Sequence, residues 1–370
     1  MLTEYLHALR RTDSSRLPGN PLCAGAMTLF TLDYHRPVWE DGVSRSQYFR
    51  AIPEWKTVQL DPAAIPVPPP LGLARADGKR QLYSVDTYFR DSWEDLSGVA
   101  GKGAVAVAST HALLLLKPDA VVRRRLSAAL DWLTTRGWRI THAQRFRVNR
   151  WAIRAFWQYQ WNTATRDRRE MADLYMSATD SLVLVLRAPD AGEWATAALT
   201  RVKGSSDPAR CRPGQLRSVL GTLNQQLNLV HSADEPADLV REIGICCTPA
   251  ERAVVYRAMA AGADAEVLAR RLASTLEAEY PPLDLTLSGT VSRLQGRLGG
   301  GNEHDRLHRC LAAVRDGDET GWRDVVGLAE RAGVTLTRWD RVVLGTYLLD
   351  PTLPGVVPLV PDASAAATAP

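Results

Sequence analysis

Lysine is nearly missing from this 370-residue chain: five positions (56, 79, 102, 117 and 203) stand among 45 basic residues. Arginine supplies the rest, a bias that fits a GC-rich bacterial genome and makes each lysine worth inspecting. Cysteine is almost as scarce. Its five positions (23, 211, 246, 247 and 310) are odd in number and contain no CxxC, so no disulfide framework is legible and a reduced interior is expected. No stretch reaches the roughly eighteen apolar residues of a membrane helix, and the first fifteen residues lack the apolar run of a leader. A cytoplasmic protein without membrane contact is the expectation. Charge of one sign is also lacking: a formal net charge of +4 gives no general attraction to nucleic acid. What the chain has is length and apolar content, 45% over 370 residues, enough for more than one core.

Residues 1–108 are expected to be of mixed or β character, with a short helix at the start, strands over 27–34 and 81–88, and an extended proline-rich connector over 62–70. Gly98-Val-Ala-Gly-Lys-Gly103 fails as a phosphate loop, because Leu96 stands where the first glycine belongs and Gly103 where Ser or Thr belongs. It reads as a flexible joint. From 104 onward the pattern sharpens. Apolar or alternating runs predict strands over 112–116, 138–146, 181–186 and 227–231. Helical spacing covers 121–136, 166–176 and 193–202, with a Trp-rich helical segment (Trp151, Trp157, Trp161) between the second and third strands. That order predicts an α+β fold: a ferredoxin-like core, split β-α-β with an antiparallel four-stranded sheet and extra helices. After Cys247 the spacing predicts helices over 249–260, 264–278, 288–297, 303–315, 320–332 and 337–348, an all-α C-terminal region. Residues 351–370 are rich in Pro and Ala and read as disordered. The expected divisions are 1–108, 109–247, 248–350 and 351–370.

The chemistry concentrates at 217–242. His231 ends a short apolar strand, Asp234-Glu235-Pro236 opens a helix, and Glu242 follows eleven residues after the histidine, placed to hold one ring nitrogen. A neutral imidazole so held can attack phosphorus. Lys117, at the tip of the run 112–116 and followed by Pro-Asp, is placed to meet a phosphate. A lone histidine at a strand end is more often structural, and only its company favours catalysis. Arg123, Arg124 and Arg125 read as the wet face of a helix, and the Trp-rich helix as packing. His304 and His308, one helical turn apart near Cys310, find no further ligand in register, so no protein-held metal is expected.

Five motifs in order carry a resemblance. Lys117-Pro-Asp-Ala, Tyr175-Met-Ser before an apolar strand, Asp207-Pro-Ala, Arg212-Pro-Gly-Gln-Leu-Arg217 and Asn228-Leu-Val-His231-Ser-Ala-Asp234, with Glu242 beyond, resemble the nucleoside diphosphate kinase domain over about residues 110–246. The resemblance implies that a nucleoside triphosphate, ATP or another, donates its γ-phosphoryl to His231, which passes it to a diphosphate, with Mg²⁺ carried on the nucleotide. It implies that Glu242 orients the histidine, that Lys117, Arg201, Arg217 and Ser206 bind phosphate, that Asn228 contacts the sugar, and that Tyr159 is the active-site tyrosine. Four departures stand out. Ser232-Ala233 replaces Gly-Ser; the Arg217–His231 spacing is one residue long and the Arg201–Gly204 spacing one residue short; Asp167-Arg-Arg-Glu170 replaces the apolar stretch that holds the base-stacking aromatic. The expectation is therefore a phosphotransferase acting on nucleotides. Its alternatives are a regulatory or scaffold protein whose kinase-like core has lost turnover, or a phosphotransferase with an unusual acceptor. With long flanks on both sides, a monomer or homodimer is expected.

Overall fold

A computed structural model describes residues 69–360 except 191, 318 and 319. The helix expected at the N-terminus, the strand over 27–34 and most of the connector 62–70 lie outside the described residues. Among the described residues, three helices precede the sheet: α1 (Asp77–Ser84), α2 (Thr87–Ala100) and α3 (Ala104–Thr110). The strand expected over 81–88 is thus helical. The buried residues of α1 are Lys79, Tyr83 and Ser84, the first two four apart, and Asp86 caps α2 by accepting from the Phe89 N–H at 3.0 Å. Residues 98–103, expected as a flexible joint, are the end of α2 and a tight 3₁₀ turn.

The core then runs β1 (His111–Leu116), α4 (Pro118–Val122), α5 (Leu126–Thr134), β2 (Arg139–Phe146), α6 (Arg150–Phe156), α7 (Arg166–Met176), β3 (Ser181–Arg187), α8 (Ala195–Lys203), α9 (Leu216–Leu220), β4 (Val230–Ser232) and α10 (Pro236–Cys246). The strands pair antiparallel in the order β2-β3-β1-β4, the ferredoxin-like arrangement expected. β1 is buried along its whole length because both faces of the sheet are covered. Leu113 and Leu115 join one apolar cluster with Val183, Val185, Leu239 and Ile243; Leu114 and Leu116 join another with Leu130, Leu184 and Leu199.

Two expected elements are altered. The single helix over 121–136 is broken, because Arg124 takes a left-handed φ of 56° and donates to the Tyr280 carbonyl at 2.6 Å. The fourth strand is short: Leu229 has φ 70°, so extended pairing begins only at Val230.

Six helices follow among the described residues: α11 (Pro249–Ala261), α12 (Glu266–Glu279), α13 (Leu287–Gln295), α14 (Asn302–Asp316), α15 (Trp322–Arg331) and α16 (Arg338–Leu348). Ala269, Ala273 and Leu276 of α12 belong to the second sheet cluster, and Val255, Tyr256 and Met259 of α11 to the first, so the helical region packs directly on the core. Residues 351–360, expected as disordered, run beside the segment 159–165. Leu353 donates to the Thr163 carbonyl at 2.7 Å and Val360 to the Tyr159 carbonyl at 3.2 Å, while 361–370 lie outside the described residues.

The crossing of α10 and α2 is tight enough to require glycine. A Cβ at Gly244 would stand 2.3 Å from the Tyr88 carbonyl oxygen. Gly244→Ala is expected to lower unfolding stability by about 1–3 kcal/mol, since backbone has to move to admit the methyl group. Urea unfolding of the variant measures this, and an unchanged midpoint would contradict it.

Candidate active site

The site forms where β1 and β4 run side by side, with Leu115 opposite His231. α10 starts four residues after Ser232, its proline in the first turn, and returns Glu242 to the histidine. His231 Nε2 and Glu242 Oε1 are 2.7 Å apart, with side-chain exposures of 19% and 6%. A carboxylate there accepts the Nε2 proton, which fixes the tautomer and leaves the lone pair on Nδ1. The ring is also wedged edge-on between Phe156 and Trp157, with centroids 5.6 and 5.3 Å away. Its orientation is set from three sides.

His231 lines a cavity of about 280 Å³ shared with Lys117, Lys203, Arg217, Ser206 and Asn228. Arg217 and Lys117 both donate to backbone carbonyls. Arg217 donates to the carbonyls of Gly204 at 2.9 Å, Val230 at 2.7 Å and Asn228 at 3.3 Å. Lys117 donates to the Gln226 carbonyl at 2.8 Å, and Asp119 stands 4.0 Å from its ammonium group. Burial dominates there: it brings the Lys117 pKa down to about 8, with Asp119 opposing and Arg217 assisting the fall. Asp119 in turn accepts from the Leu229 N–H at 2.8 Å, a bond that fits the left-handed turn before β4. Lys203 donates to Ser232 Oγ at 2.6 Å, and Asn228 donates to the Gln225 carbonyl at 2.7 Å. Concentrated positive charge around a nucleophile suits a phosphorylated ligand.

The family pattern described as nucleoside diphosphate kinase matches residues 110–251. A nucleoside diphosphate kinase of Moorella thermoacetica is 31% identical over 139 residues, spanning 37% of this chain and 93% of that relative. The chain belongs to the nucleoside diphosphate kinase family. A relative of the same description from Sorangium cellulosum is 30% identical over 139 residues, covering 37% of this chain and 90% of its own length. Among solved structures, an NDP kinase from Pyrobaculum aerophilum covers 38% of this chain and 96% of its own, at 21% identity and TM-score 0.33.

Of the residues that the kinase resemblance marks, His231, Lys117, Ser206, Arg217 and Asn228 line the cavity and Glu242 reaches it through His231. Two do not come to it. Arg201 is 67% exposed and pairs with Glu193. Lys203, two residues further along α8 and so about 200° around it, lines the cavity wall instead. The lysine scarcity that singled out Lys117 would have singled out Lys203 equally. Tyr159 is buried in the core, where its hydroxyl donates to Asp86 Oδ2 at 2.8 Å. The aromatics on the cavity are Trp157 and Trp161, stacked at 5.4 Å and 9°, and Tyr175, whose ring lies 5.2 Å from the Lys117 ammonium. Trp157 and Trp161 were read in the sequence as packing. Arg168 also lines the cavity. No described helix is long and apolar enough to cross a membrane.

Proposed function

We propose that this chain is a phosphotransferase that moves the γ-phosphoryl group of a nucleoside triphosphate through a phosphohistidine on His231 to a nucleoside diphosphate or related acceptor. The His231–Glu242 contact carries the reading, since it frees one ring nitrogen toward a cationic cavity. The Nδ1 lone pair attacks the γ-phosphorus, the bond to the β–γ bridging oxygen breaks, and the diphosphate leaves with that oxygen and its charge. The reverse attack by an acceptor diphosphate oxygen regenerates free histidine. Glu242 stabilises the positive ring as it forms; Lys117, Lys203 and Arg217 stabilise the equatorial oxygens of the migrating group. Asp234, which accepts from Thr200 at 3.1 Å, is the only carboxylate on the described cavity wall. One carboxylate fits a Mg²⁺ ion carried in on the phosphates, where it would be held by Asp234 and the nucleotide and would neutralise phosphate charge. The covering of both sheet faces by the chain's own helices supports a monomer or dimer, with the helical region as a packing layer of the core.

Incubation with γ-labelled ATP and Mg²⁺, followed by an alkaline gel, tests the mechanism. Label that survives alkali and is discharged by added diphosphate is expected; nucleotide binding with no label would overturn it.

Lys117 gives a pH signature. Its pKa of about 8 in the unliganded protein means that half the molecules have lost that charge at mildly alkaline pH. A bound polyphosphate favours the charged form, so binding just above this pH takes up a proton, and affinity falls up to tenfold per unit as pH rises through about 8. Calorimetry in two buffers of different ionisation heat measures the uptake. Lys117→Met should abolish it, and equal heats in the two buffers for the unmutated protein would contradict the assignment.

A further inference from the structure

The cations of the cavity fall on two walls. On one, Lys117, Lys203 and Arg217 stand at the end of β1, at the end of α8 and in α9, the elements gathered around His231 on β4. Arg168 belongs to the other, built by the segment 157–163, α7 and the segment 351–360, and it is the only cation there among the described residues. No carboxylate pairs with Arg168 among the described residues, and its one side-chain hydrogen bond to them is from Nη1 to the Pro351 carbonyl at 3.5 Å, the outer limit of such a bond. Burial lowers its pKa, which states the same cost in another form: a charge withdrawn from water with little in return. A guanidinium placed so has donors open to a ligand's acceptors.

If the polyphosphate lies on the first wall against His231, the sugar and base have the second wall to meet. Arginine carries five N–H donors and no acceptor. A base edge facing it therefore has to present acceptors. Guanine offers O6 and N7 as a pair of acceptors and uracil offers O4, whereas adenine sets an amino group beside its N7 and cytosine presents an amino group at the corresponding edge. Donor against donor in a half-buried cleft is repulsive and leaves both groups without partners.

On the nucleotide reading given above, we infer that Arg168 is a specificity-determining residue that selects keto bases, so that guanine and uracil nucleotides bind in preference to adenine and cytosine nucleotides. Pro358, from the segment 351–360, also lines the cavity. The small volume of about 280 Å³, at or below the low end of ligand clefts, leaves a base little freedom to turn another edge to the arginine.

The test is the affinity of the full chain for GDP, ADP, UDP and CDP, with inorganic tripolyphosphate as a competitor, in the unmutated protein and in Arg168→Gln. The glutamine amide has both a donor and an acceptor and can turn either to the base, so it removes the selection without leaving a hole. GDP is expected to bind about tenfold tighter than ADP, and UDP about tenfold tighter than CDP. Arg168→Gln is expected to bring each pair within about twofold, by weakening GDP and UDP alone. Equal affinity for all four in the unmutated protein would overturn the inference. So would an equal loss for all four in Arg168→Gln, which would make Arg168 a phosphate contact, or tripolyphosphate competing as strongly as GDP. Failure of every nucleotide to bind would instead bring down the nucleotide reading and the inference with it. Circular dichroism of the variant checks the fold. With no ion pair lost among the described residues, its spectrum is expected to be unchanged.

Discussion

His231→Ala is expected to lose phosphoryl transfer by a factor on the order of 10³ or more and to show no covalent label, while nucleotide affinity changes by no more than a few fold. Removing a nucleophile removes the path through it, whereas Lys117, Lys203 and Arg217 hold the phosphates through side chains that do not depend on the imidazole. The variant should also be somewhat less stable. Glu242 is 6% exposed and its Oε2 has no hydrogen-bond partner among the described residues, so loss of the Oε1 contact leaves a buried carboxylate without support. The vacated space opens onto the cavity and admits water, which holds the loss to about 1–3 kcal/mol. His231→Gln, which can keep a donor toward Glu242, should recover that stability and none of the transfer. Single-turnover labelling and urea unfolding of the two variants separate the effects. Persistent labelling of His231→Ala would remove the proposed mechanism. Parallel losses of stability and nucleotide affinity would make the histidine structural.

The sheet was legible because its central strands are buried on both faces. The run Leu113-Leu-Leu-Leu116 and the alternation of Leu and Val over 182–186 have no other use in a soluble domain, and both became strands with every side chain inside apart from Arg187. His231 and Glu242 were legible because the distance between them along the chain fits one strand end, a turn and two helical turns. Misreadings arose where the cause lies outside the local window. The alternation over 81–88 was a strand in pattern, but burial at Lys79 and Tyr83 and the Asp86 cap are helical features. Spacing favours Arg201, but α8 turns that side chain to Glu193 and brings Lys203 to the cavity. Tyr159 was one of several aromatics in a segment with no register of its own; the Asp86 carboxylate, 73 residues earlier, draws its hydroxyl into the core. The segment 351–360 has no apolar period because backbone bonds from 159–165 hold it.

Asp86→Ala is expected to cost about 3–5 kcal/mol, the largest stability effect of any single substitution considered, because it leaves a buried guanidinium without its partner. Arg241 and Asp86 are each 2% exposed at the side chain, and Arg241 Nε donates to Asp86 Oδ2 at 2.8 Å. The same carboxylate accepts from the Tyr159 hydroxyl at 2.8 Å and, through Oδ1, from the Phe89 N–H, so the substitution also removes the cap of α2. Arg241 keeps Gln158 at 3.1 Å and the face of Tyr159 at 5.1 Å, contacts that are no substitute for a carboxylate. If the penalty comes from the orphaned charge, the double variant Asp86→Ala/Arg241→Met should be more stable than Asp86→Ala alone, by about 1 kcal/mol or more. Urea unfolding of both decides it: a loss below about 1 kcal/mol in Asp86→Ala, or a double variant weaker than the single by the full cost of each, would show that water or a shifted side chain satisfies Arg241. The pair matters to the site because Arg241 and Glu242 are neighbours on α10, one tied to α2 and the other to His231. Loosening the first should let the helix drift, so the surviving folded fraction of Asp86→Ala is expected to transfer phosphoryl more slowly than the unmutated protein at unchanged nucleotide affinity.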